Sequence, residues 1–346
     1  MGHTNGVNGT NGVEQAVFRE RQGSRSLPFL TDTLGNSLND RLLFAVPKKG
    51  RLHQACLDLL HGSDIQFHRH SRLDIALVKN LPLALVFLPA ADIPTFVGEG
   101  RVDLGITGRD QVAEHECVVP PTATTGVEEV LDLDFGKCAL QVQVPAKGEL
   151  AKPEDLIGKN VVTSFTNLAE QYFRRLEAEQ AGNTSGEANG NAKLKTTIKF
   201  VGGSVEAACA LGVADGIVDL VESGETMRAA GLKAISTVVS SSAILIRSKH
   251  PSDLKLVELI TARIKGVITA QKYVLCTYNI ERSKLDGARK ITPGRRAPTV
   301  NALEEDGWVA VQAMVLRKDI AIAMDQLTEI GASDLIVTKI ENSRTD

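Results

Sequence analysis

The sequence predicts an α/β protein in which a core of largely parallel strands is followed by a smaller ferredoxin-like module. Between residues 41 and 247, short apolar runs alternate with helical periods, which is typical of strands joined by covering helices. From residue 254 the pattern changes to one amphipathic helix followed by short strands interleaved with helices, which favours a ferredoxin-like module. Hydrophobic residues make up 43% and charged residues 23% of the chain, so each part can bury a core of its own.

In the core, most predicted strands lead into a predicted helix. The pairs are 41–47 with 50–60, 83–88 with 93–99, 104–107 with 110–114, 160–163 with 168–179, and 198–201 with 205–211. Further strands are predicted at 137–144, 217–220 and 243–247, and the C-terminal elements are a helix at 254–270, strands at 273–277, 308–315 and 335–340, and a helix at 320–330. Residues 1–38 and 181–193 are rich in Gly, Asn, Thr and Ser, which predicts a disordered tail and a surface loop.

Charge and hydropathy exclude several classes of protein. The formal net charge is −3, whereas a nucleic-acid binder carries a strongly basic surface. The longest apolar stretch, residues 81–91, contains two prolines and is shorter than the roughly 18 residues that a membrane helix needs. The N-terminus lacks the pattern of a signal peptide. We therefore expect a soluble cytoplasmic protein with neither a membrane nor a nucleic acid as partner.

Cysteine and histidine spacing predicts no protein-built metal site. The five cysteines are scattered, without a Cys-x-x-Cys pair, which is typical of reduced thiols. His61, His68 and His70 are clustered but lack a carboxylate or cysteine at a ligand spacing.

The most informative segment is residues 212–227. An apolar strand carries Asp215 and Asp219 and runs into a short turn that opens a helix. The turn consists of Glu222, Ser223, Gly224, Glu225 and Thr226. Backbone N–H groups at such a turn converge on one point, and the helix dipole adds attraction for an anion. The segment predicts a site for a sugar phosphate, with the carboxylates upstream binding ribose hydroxyls; the alternative is an ordinary capped helix start.

This segment resembles the phosphoribosyl pyrophosphate loop of the ATP phosphoribosyltransferase family, and other blocks of the chain resemble that family in collinear order. The blocks are 45–52, 92–94, 100–110, 163–168, 203–206, 298–300, 307–311 and 331–334. Residues 87–91 and 292–296 are most similar to the fungal enzymes of the family. The resemblance covers the chain from about residue 40 onward and includes the C-terminal domain of the family's long form.

The resemblance implies a periplasmic-binding-protein-like pair of α/β lobes with the site in the cleft between them. Lobe I is expected at 39–135 and 236–255, lobe II at 136–235, and a regulatory histidine-binding domain at 256–346. The implied enzyme condenses ATP with phosphoribosyl pyrophosphate, releases pyrophosphate and starts histidine biosynthesis. It also implies Mg²⁺ carried mainly by the substrate, feedback inhibition by histidine, and a homo-oligomer, either a dimer or a hexamer.

The resemblance also implies roles for a basic turn after the first strand. Lys48 and Arg51, with Gly50 between them, are expected to face the cleft, where their charges suit a pyrophosphate leaving group. The alternative is a solvated basic turn. Some bacterial members carry an arginine at the position of Pro89, so any charge needed there must come from elsewhere in this chain.

The remaining candidates line the predicted cleft. Asp219, with Asp215 or Glu206, is expected to hold the ribose hydroxyls and to offset positive charge on the sugar. Thr163 and Ser164 end a strand and favour either a phosphate contact or a helix N-cap. Gly108 lies in a glycine-containing turn that either contributes to the cleft or merely connects two elements.

Two other classes of protein compete with this interpretation. A binding-only or transcription-regulating protein of the two-lobed fold would share the cleft but would have no need for an acidic strand that runs into a phosphate turn. A phosphoribosyltransferase for another base would share the turn but not the C-terminal module.

Overall fold

The computed structural model describes residues 38–70, 73–182 and 193–344, and the described residues from Arg41 onward form one compact unit. Within the described ranges the elements are, in chain order, β1 (Leu42–Pro47), α1 (His53–Gly62), β2 (Ile75–Leu77), β3 (Leu83–Leu88), α2 (Ile93–Gly98), β4 (Leu104–Gly108), α3 (Arg109–Glu116), β5 (Val127–Asp132), β6 (Cys138–Pro145), a 3₁₀ turn (Pro153–Leu156), β7 (Asn160–Thr163), α4 (Thr166–Gln180), β8 (Thr197–Phe200), α5 (Ala207–Ala210), β9 (Gly216–Val221), α6 (Glu225–Ala229), β10 (Leu232–Ser241), β11 (Ala243–Ser248), α7 (Leu254–Lys272), β12 (Tyr273–Glu281), a 3₁₀ turn (Arg282–Lys284), α8 (Leu285–Ile291), β13 (Thr299–Ala302), β14 (Trp308–Leu316), α9 (Ile320–Glu329) and β15 (Ser333–Lys339). All but the last residue of the predicted tail at 1–38 and most of the predicted loop at 181–193 lie outside the described ranges.

Lobe I is built on a six-stranded sheet in the order β2-β3-β1-β4-β11-β5. Strands β1, β3 and β4 are parallel, and the flanking strands run antiparallel to their neighbours. Strand β1 is a nearly continuous apolar run because helices cover both faces of the sheet. The carboxyl ends of β1, β3 and β4 therefore share one edge, which faces lobe II.

Lobe II is built on a five-stranded sheet in the order β10-β6-β9-β7-β8. Strands β7, β8 and β9 are parallel, whereas β6 runs antiparallel to β9 and β10. Helix α4 packs on one face of the sheet and the short helix α5 on the other. The chain passes from lobe I to lobe II through residues 133–137, the first interlobe segment, and returns at Ser242, the second interlobe segment.

The return to lobe I lies later than predicted. The boundary expected between residues 235 and 236 falls inside β10, which pairs with β6 along its length. Register shifts between Ala234 and Ser236 and between Thr237 and Val239 interrupt the alternation of side chains. The period-2 signal that identifies a strand from sequence is therefore blurred in this segment.

The C-terminal domain is the predicted ferredoxin-like module. Its four strands form an antiparallel sheet in the order β13-β14-β12-β15, with α8 and α9 packed on one face. Buried residues alternate along β12, at Val274, Cys276, Tyr278 and Ile280. This is the pattern of a sheet that covers its core with one face only.

Helix α7 belongs to lobe I and not to the C-terminal domain, which was expected to start at residue 256. Its buried side chains, including Val257, Ile260 and Ile264, lie in the same cluster as the cores of β1 and α1. The C-terminal domain therefore begins at Tyr273. Amphipathic spacing predicts that a helix buries one face, but it does not say which neighbour covers that face. Within the described ranges, no helix has both the length and the apolar character required to span a bilayer.

Candidate active site

The two lobes meet where the basic turn after β1 approaches the turn after β9. The guanidinium of Arg51 in lobe I lies 3.2 Å from Oε1 of Glu222 in lobe II and donates to the main-chain oxygen of Gly136 at 2.6 Å. A cavity of about 210 Å³ lies beside Arg51 and is lined by residues 220–227 of the turn. Segments 171 positions apart in the sequence are thus brought to one site.

The turn at residues 222–226 has the geometry of an anion cradle. Gly224 has a φ of +74°, which a residue with a Cβ adopts only under strain. Any Cβ there would lie 2.7 Å from a nitrogen of Arg228. The first N–H groups of α6 have no acceptor within their own helix, and the Ser223 hydroxyl accepts the one from Glu225 at 3.3 Å. Main-chain donors at this turn are therefore available to a ligand oxygen.

Arg228 is a cation at this turn that the sequence analysis did not single out. Its guanidinium donates to the main-chain oxygen of Ser223 at 3.2 Å. The residue lies one turn into the helix, and its position four residues after Gly224 is the signal that could have identified it. Arg51 and Arg228 together offset the negative charges of Glu222 and Glu225 around the cradle.

Asp219 lies on β9, three residues before the turn begins. Its Oδ1 accepts the main-chain N–H of Leu220 at 2.9 Å. Burial raises the pKa of Asp219 to about 6; the Leu220 N–H opposes this shift, and the negative charge of Glu206 adds to it. The negative charge of Glu206 therefore acts on Asp219, which precedes the turn on the same strand.

The structure does not bring Asp215 to the turn. Its Oδ2 accepts the main-chain N–H of Asn160 at 2.9 Å, at the first residue of β7. Four residues along an extended chain separate it from Asp219 by about 13 Å. Asp215 holds the amino-terminal end of β7 beside β9, at the far end of the strand from the cradle.

Lys48 lies at the carboxyl end of β1, but its ammonium group is bound by Asp74 at 2.7 Å. Asp74 also contacts Arg69 at 3.3 Å, and its pKa is lowered, mainly by the hydrogen bond from Lys48. The main-chain N–H of Lys48 donates to Leu88, the residue before Pro89. The main chain of Lys48 therefore lies beside the end of β3, while its ammonium group is directed to Asp74.

Three glycines shape the lobe I side of the cleft. Gly50 adopts a φ of +88° in the basic turn. A Cβ on Gly108 would lie 2.2 Å from Oδ1 of Asp110, and a Cβ on Gly136 would lie 3.2 Å from Nη1 of Arg51. Gly108 and Gly136 therefore leave room for Asp110 and Arg51.

Thr163 and Ser164 have different surroundings at the end of β7. Thr163 is buried, and its hydroxyl accepts the main-chain N–H of Phe165 at 2.9 Å. Ser164 lines a separate cavity of about 470 Å³ between α2, α3 and the start of α4. The start of α4 is capped from the other lobe, because the carboxylate of Glu114 accepts both the main-chain and side-chain N–H groups of Asn167 and the N–H of Leu168, each at 2.8 Å. Glu114 thus fills the anion position that the helix start offers.

Carboxylates, histidines and cysteines do not converge on a metal position in the described part of the chain. No group of three or more of them is close enough to hold an ion there.

Comparison with known proteins identifies the family. Residues 89–266 match the ATP phosphoribosyltransferase family model, and residues 270–342 match the model of its C-terminal domain. An ATP phosphoribosyltransferase from Yarrowia lipolytica is 63% identical over 311 residues, which are 90% of this chain and 99% of that protein. The enzyme of the same name from Saccharomyces cerevisiae is 57% identical over 312 residues, again 90% of this chain and 99% of the relative.

A solved structure agrees with the two-lobed fold. The ATP phosphoribosyl transferase (HisG:HisZ) complex from Thermotoga maritima contains a chain that matches with a TM-score of 0.51 at 21% identity, covering 65% of this chain and 96% of that one. The predicted family is confirmed by the sequence relatives and the predicted fold by this structure. The chain belongs to the ATP phosphoribosyltransferase family.

Proposed function

We propose that this enzyme joins ATP to 5-phosphoribosyl 1-pyrophosphate and forms N1-(5-phosphoribosyl)-ATP and pyrophosphate, the first step of histidine biosynthesis. The observation that carries the proposal is the meeting of Arg51 from lobe I with the acidic strand and glycine turn of lobe II. The turn offers main-chain donors to a phosphate, the strand offers carboxylates to a sugar, and the arginine offers positive charge to a leaving group. These are the three groups that phosphoribosyl pyrophosphate presents.

In this reaction, nitrogen 1 of adenine attacks carbon 1 of the ribose, and the bond from that carbon to the pyrophosphate oxygen breaks. The configuration at carbon 1 inverts from α to β. Positive charge develops on the sugar and negative charge on the departing oxygens, so catalysis depends on positioning and electrostatics. The attacking nitrogen already has a lone pair, and the chain therefore needs no strong general base.

The residues take their proposed roles from their places in the cleft. The turn at 222–226 binds the 5-phosphate, while Asp219 and Glu206 bind ribose hydroxyls and offset the developing cation. Arg51 binds oxygens of the pyrophosphate. Lys48 assists after exchanging Asp74 for a substrate oxygen. Asp215 contributes by holding the strands of lobe II together.

We propose Mg²⁺ as the cofactor, bound mainly by the oxygens of the substrate. Mg²⁺ keeps several waters and is usually bound through one or two carboxylates together with substrate phosphates. When bound, the ion would neutralise part of the negative charge of the pyrophosphate. Arg51 supplies the charge that the protein itself adds at this end of the substrate.

The proposal is tested by incubating the purified protein with ATP, phosphoribosyl pyrophosphate and Mg²⁺. We expect stoichiometric release of pyrophosphate and the ultraviolet change that accompanies alkylation of adenine at nitrogen 1. Parallel incubations replace ATP by free adenine, guanine or another base. Pyrophosphate release with one of those bases and not with ATP would point to a different phosphoribosyltransferase, and binding of substrate without turnover would point to a binding protein.

We further propose that the C-terminal domain binds histidine and inhibits the enzyme within a homo-oligomer, either a dimer or a hexamer. Support comes from its separate core and from its connection to lobe I through the end of α7. There Lys272 forms an ion pair with Asp134 of the first interlobe segment. Binding in this domain can reach the cleft only if it biases two arrangements of the whole protein.

Histidine added to the full-length enzyme is expected to lower turnover, and a chain ending at Lys272 is expected to have lost that response. The cut keeps α7, which lobe I needs for its core. Activity of the shortened enzyme is measured with and without histidine, and its oligomeric state by light scattering. An active shortened enzyme with unchanged sensitivity would place the histidine site outside the C-terminal domain.

A further inference from the structure

A buried carboxylate lies behind Arg51, outside the set of residues to which the reaction assigns a role. The side chain of Asp110, in the first turn of α3, is 1% exposed. Removing a carboxylate from water is costly unless charge and hydrogen bonds compensate. The partners of Asp110 therefore indicate what its charge is for.

The cationic partner of this carboxylate is Arg51. Oδ1 of Asp110 lies 3.5 Å from Nη2 of Arg51. That separation is long for a hydrogen bond, so the attraction holds the guanidinium without occupying its donors in the way a bidentate pair does. The hydroxyl of Ser241 donates to the same Oδ1, and Gln111 donates to Oδ2 at 3.2 Å.

The groups around the pair come from both passages of the chain between the lobes. Ser241 ends β10, immediately before the second interlobe segment, and its hydroxyl also accepts the main-chain N–H of Asp110 at 2.9 Å. Gly136, whose oxygen accepts from Arg51, lies in the first interlobe segment. The contacts that fix the direction of the guanidinium therefore come from the interlobe segments and not from the exposed turn that carries Arg51.

The glycines next to the pair support this interpretation. Gly108 leaves space for the carboxylate, and Gly136, at a φ of +63°, leaves space for the guanidinium and for Leu52. A Cβ at Gly108 would collide with the carboxylate of Asp110, and a Cβ at Gly136 would collide with Leu52 and crowd the guanidinium of Arg51. The site is thus built from four separate segments of the chain, which contribute Arg51, Asp110, Gly136 and Ser241.

We propose that Asp110 is a positioning residue that holds the guanidinium of Arg51 at the mouth of the phosphate turn and so sets the affinity for the pyrophosphate end of the substrate. The inference rests on the proposed role of Arg51. When the substrate enters, Arg51 exchanges Glu222 for pyrophosphate oxygens, while Asp110 and Gly136 keep the guanidinium in place. The arginine is then preorganised, and less of the binding energy is spent on ordering it.

The test compares Asp110→Asn, Arg51→Met and the double variant by steady-state kinetics. Asparagine keeps the shape and the acceptor for Ser241 but removes the charge. We expect the Asp110→Asn enzyme to show a KM for phosphoribosyl pyrophosphate raised about 10-fold or more, because the attraction that orients the guanidinium is lost. The KM for ATP is expected to change less than about 2-fold, a split that general loss of structure would not produce.

The double variant decides whether Asp110 acts through Arg51. With methionine at position 51, adding Asp110→Asn is expected to change kcat/KM for phosphoribosyl pyrophosphate by less than about 2-fold, because coupled residues are not additive. It is also expected to raise the melting temperature above that of Arg51→Met, since the unpaired buried charge is removed. Fully additive effects on kcat/KM would overturn the proposal.

Glu177→Gln is the matched control. Glu177 accepts the main-chain N–H groups of Lys195 and Thr196 on the outer side of lobe II, so its variant is expected to lose stability and to keep both KM values. Titration with inorganic pyrophosphate alone adds a readout that does not need turnover, and Asp110→Asn is expected to weaken that binding.

The outcomes separate the inference from the function it rests on. If Arg51→Met retains the wild-type KM for phosphoribosyl pyrophosphate, the proposed role of Arg51 fails and the inference fails with it. If Arg51→Met is impaired while Asp110→Asn matches the wild type in KM and in pyrophosphate affinity, only the inference is overturned.

Discussion

Asp219→Asn is expected to lower kcat about 100-fold or more, the usual scale for losing a charge that stabilises a transition state. The amide retains the size of the side chain but cannot offset positive charge on the ribose. Steady-state turnover at saturating substrates measures the effect, and circular dichroism checks the fold. Asp215→Asn is the comparison variant, because its carboxylate lies at the far end of β9; its effect is expected mainly on thermal stability. Near wild-type turnover of a folded Asp219→Asn enzyme would exclude Asp219 from the reaction.

The raised pKa of Asp219 adds a signature in pH. Because the pKa is about 6, the catalytically useful anion forms as pH rises through that value, so turnover of the wild type is expected to rise across the same range. Glu206→Gln removes a negative neighbour and is expected to move the rise in turnover to lower pH. Asp219→Asn is expected to abolish the part of the rise that comes from titration of the enzyme. Titration of the substrate phosphates is common to all three enzymes and cancels in the comparison.

The same shift predicts the sign of a stability effect. The folded protein binds the Asp219 proton more tightly than the unfolded chain does, since the pKa rises from 3.8 to about 6. The contribution of Asp219 to stability is therefore fully present below pH 3.8 and is lost as pH rises through 6. Asp219→Asn lacks this pH dependence. The free energy of unfolding of the variant and of the wild type is therefore measured between pH 3.8 and pH 6, and only the wild type is expected to show the loss.

Arg51→Met is expected to lower kcat/KM for phosphoribosyl pyrophosphate by about 100-fold or more, because a charge-assisted contact to the leaving group is lost. It is also expected to lower the melting temperature, since it leaves the buried carboxylate of Asp110 without its cation.

Arg263→Met is the matched control for that prediction. Arg263 is 19% exposed against 24% for Arg51. It bonds to the main-chain oxygen of Asp64 on the far side of lobe I. We expect its kinetics to be unchanged. Equal losses in both variants would mean that the effect comes from packing and not from the cleft.

The strand, turn and helix at residues 216–229 were predictable because their signal is local. An apolar strand, a turn that contains Gly224 and a following helix are contiguous in the sequence, and each follows a rule with a short range. The same holds for the alternating strands and helices of the two lobes and for the ferredoxin-like module, which the structure reproduces. Signals of this kind need no knowledge of distant segments.

The contacts of Asp110 at the interlobe segments could not be predicted because its partners are distant in the sequence. Asp110 and Ser241 are 131 positions apart, and Asp110 in isolation resembles an ordinary acidic residue in the first turn of a helix. Asp215 and Asp219 posed the opposite difficulty: they lie in one short segment, yet Asp215 binds the main chain of Asn160 at the far end of the strand from the turn. Distance along a strand separates them, and the sequence alone did not show which end the cleft would use.

A crystal structure of the protein with bound phosphoribosyl pyrophosphate tests the central claim most directly. The 5-phosphate is expected within hydrogen-bonding distance of main-chain N–H groups at residues 223–226, with the ribose hydroxyls at Asp219 and the pyrophosphate at Arg51. A well-ordered substrate held elsewhere, with the turn after β9 making no contact to phosphate, would contradict the account.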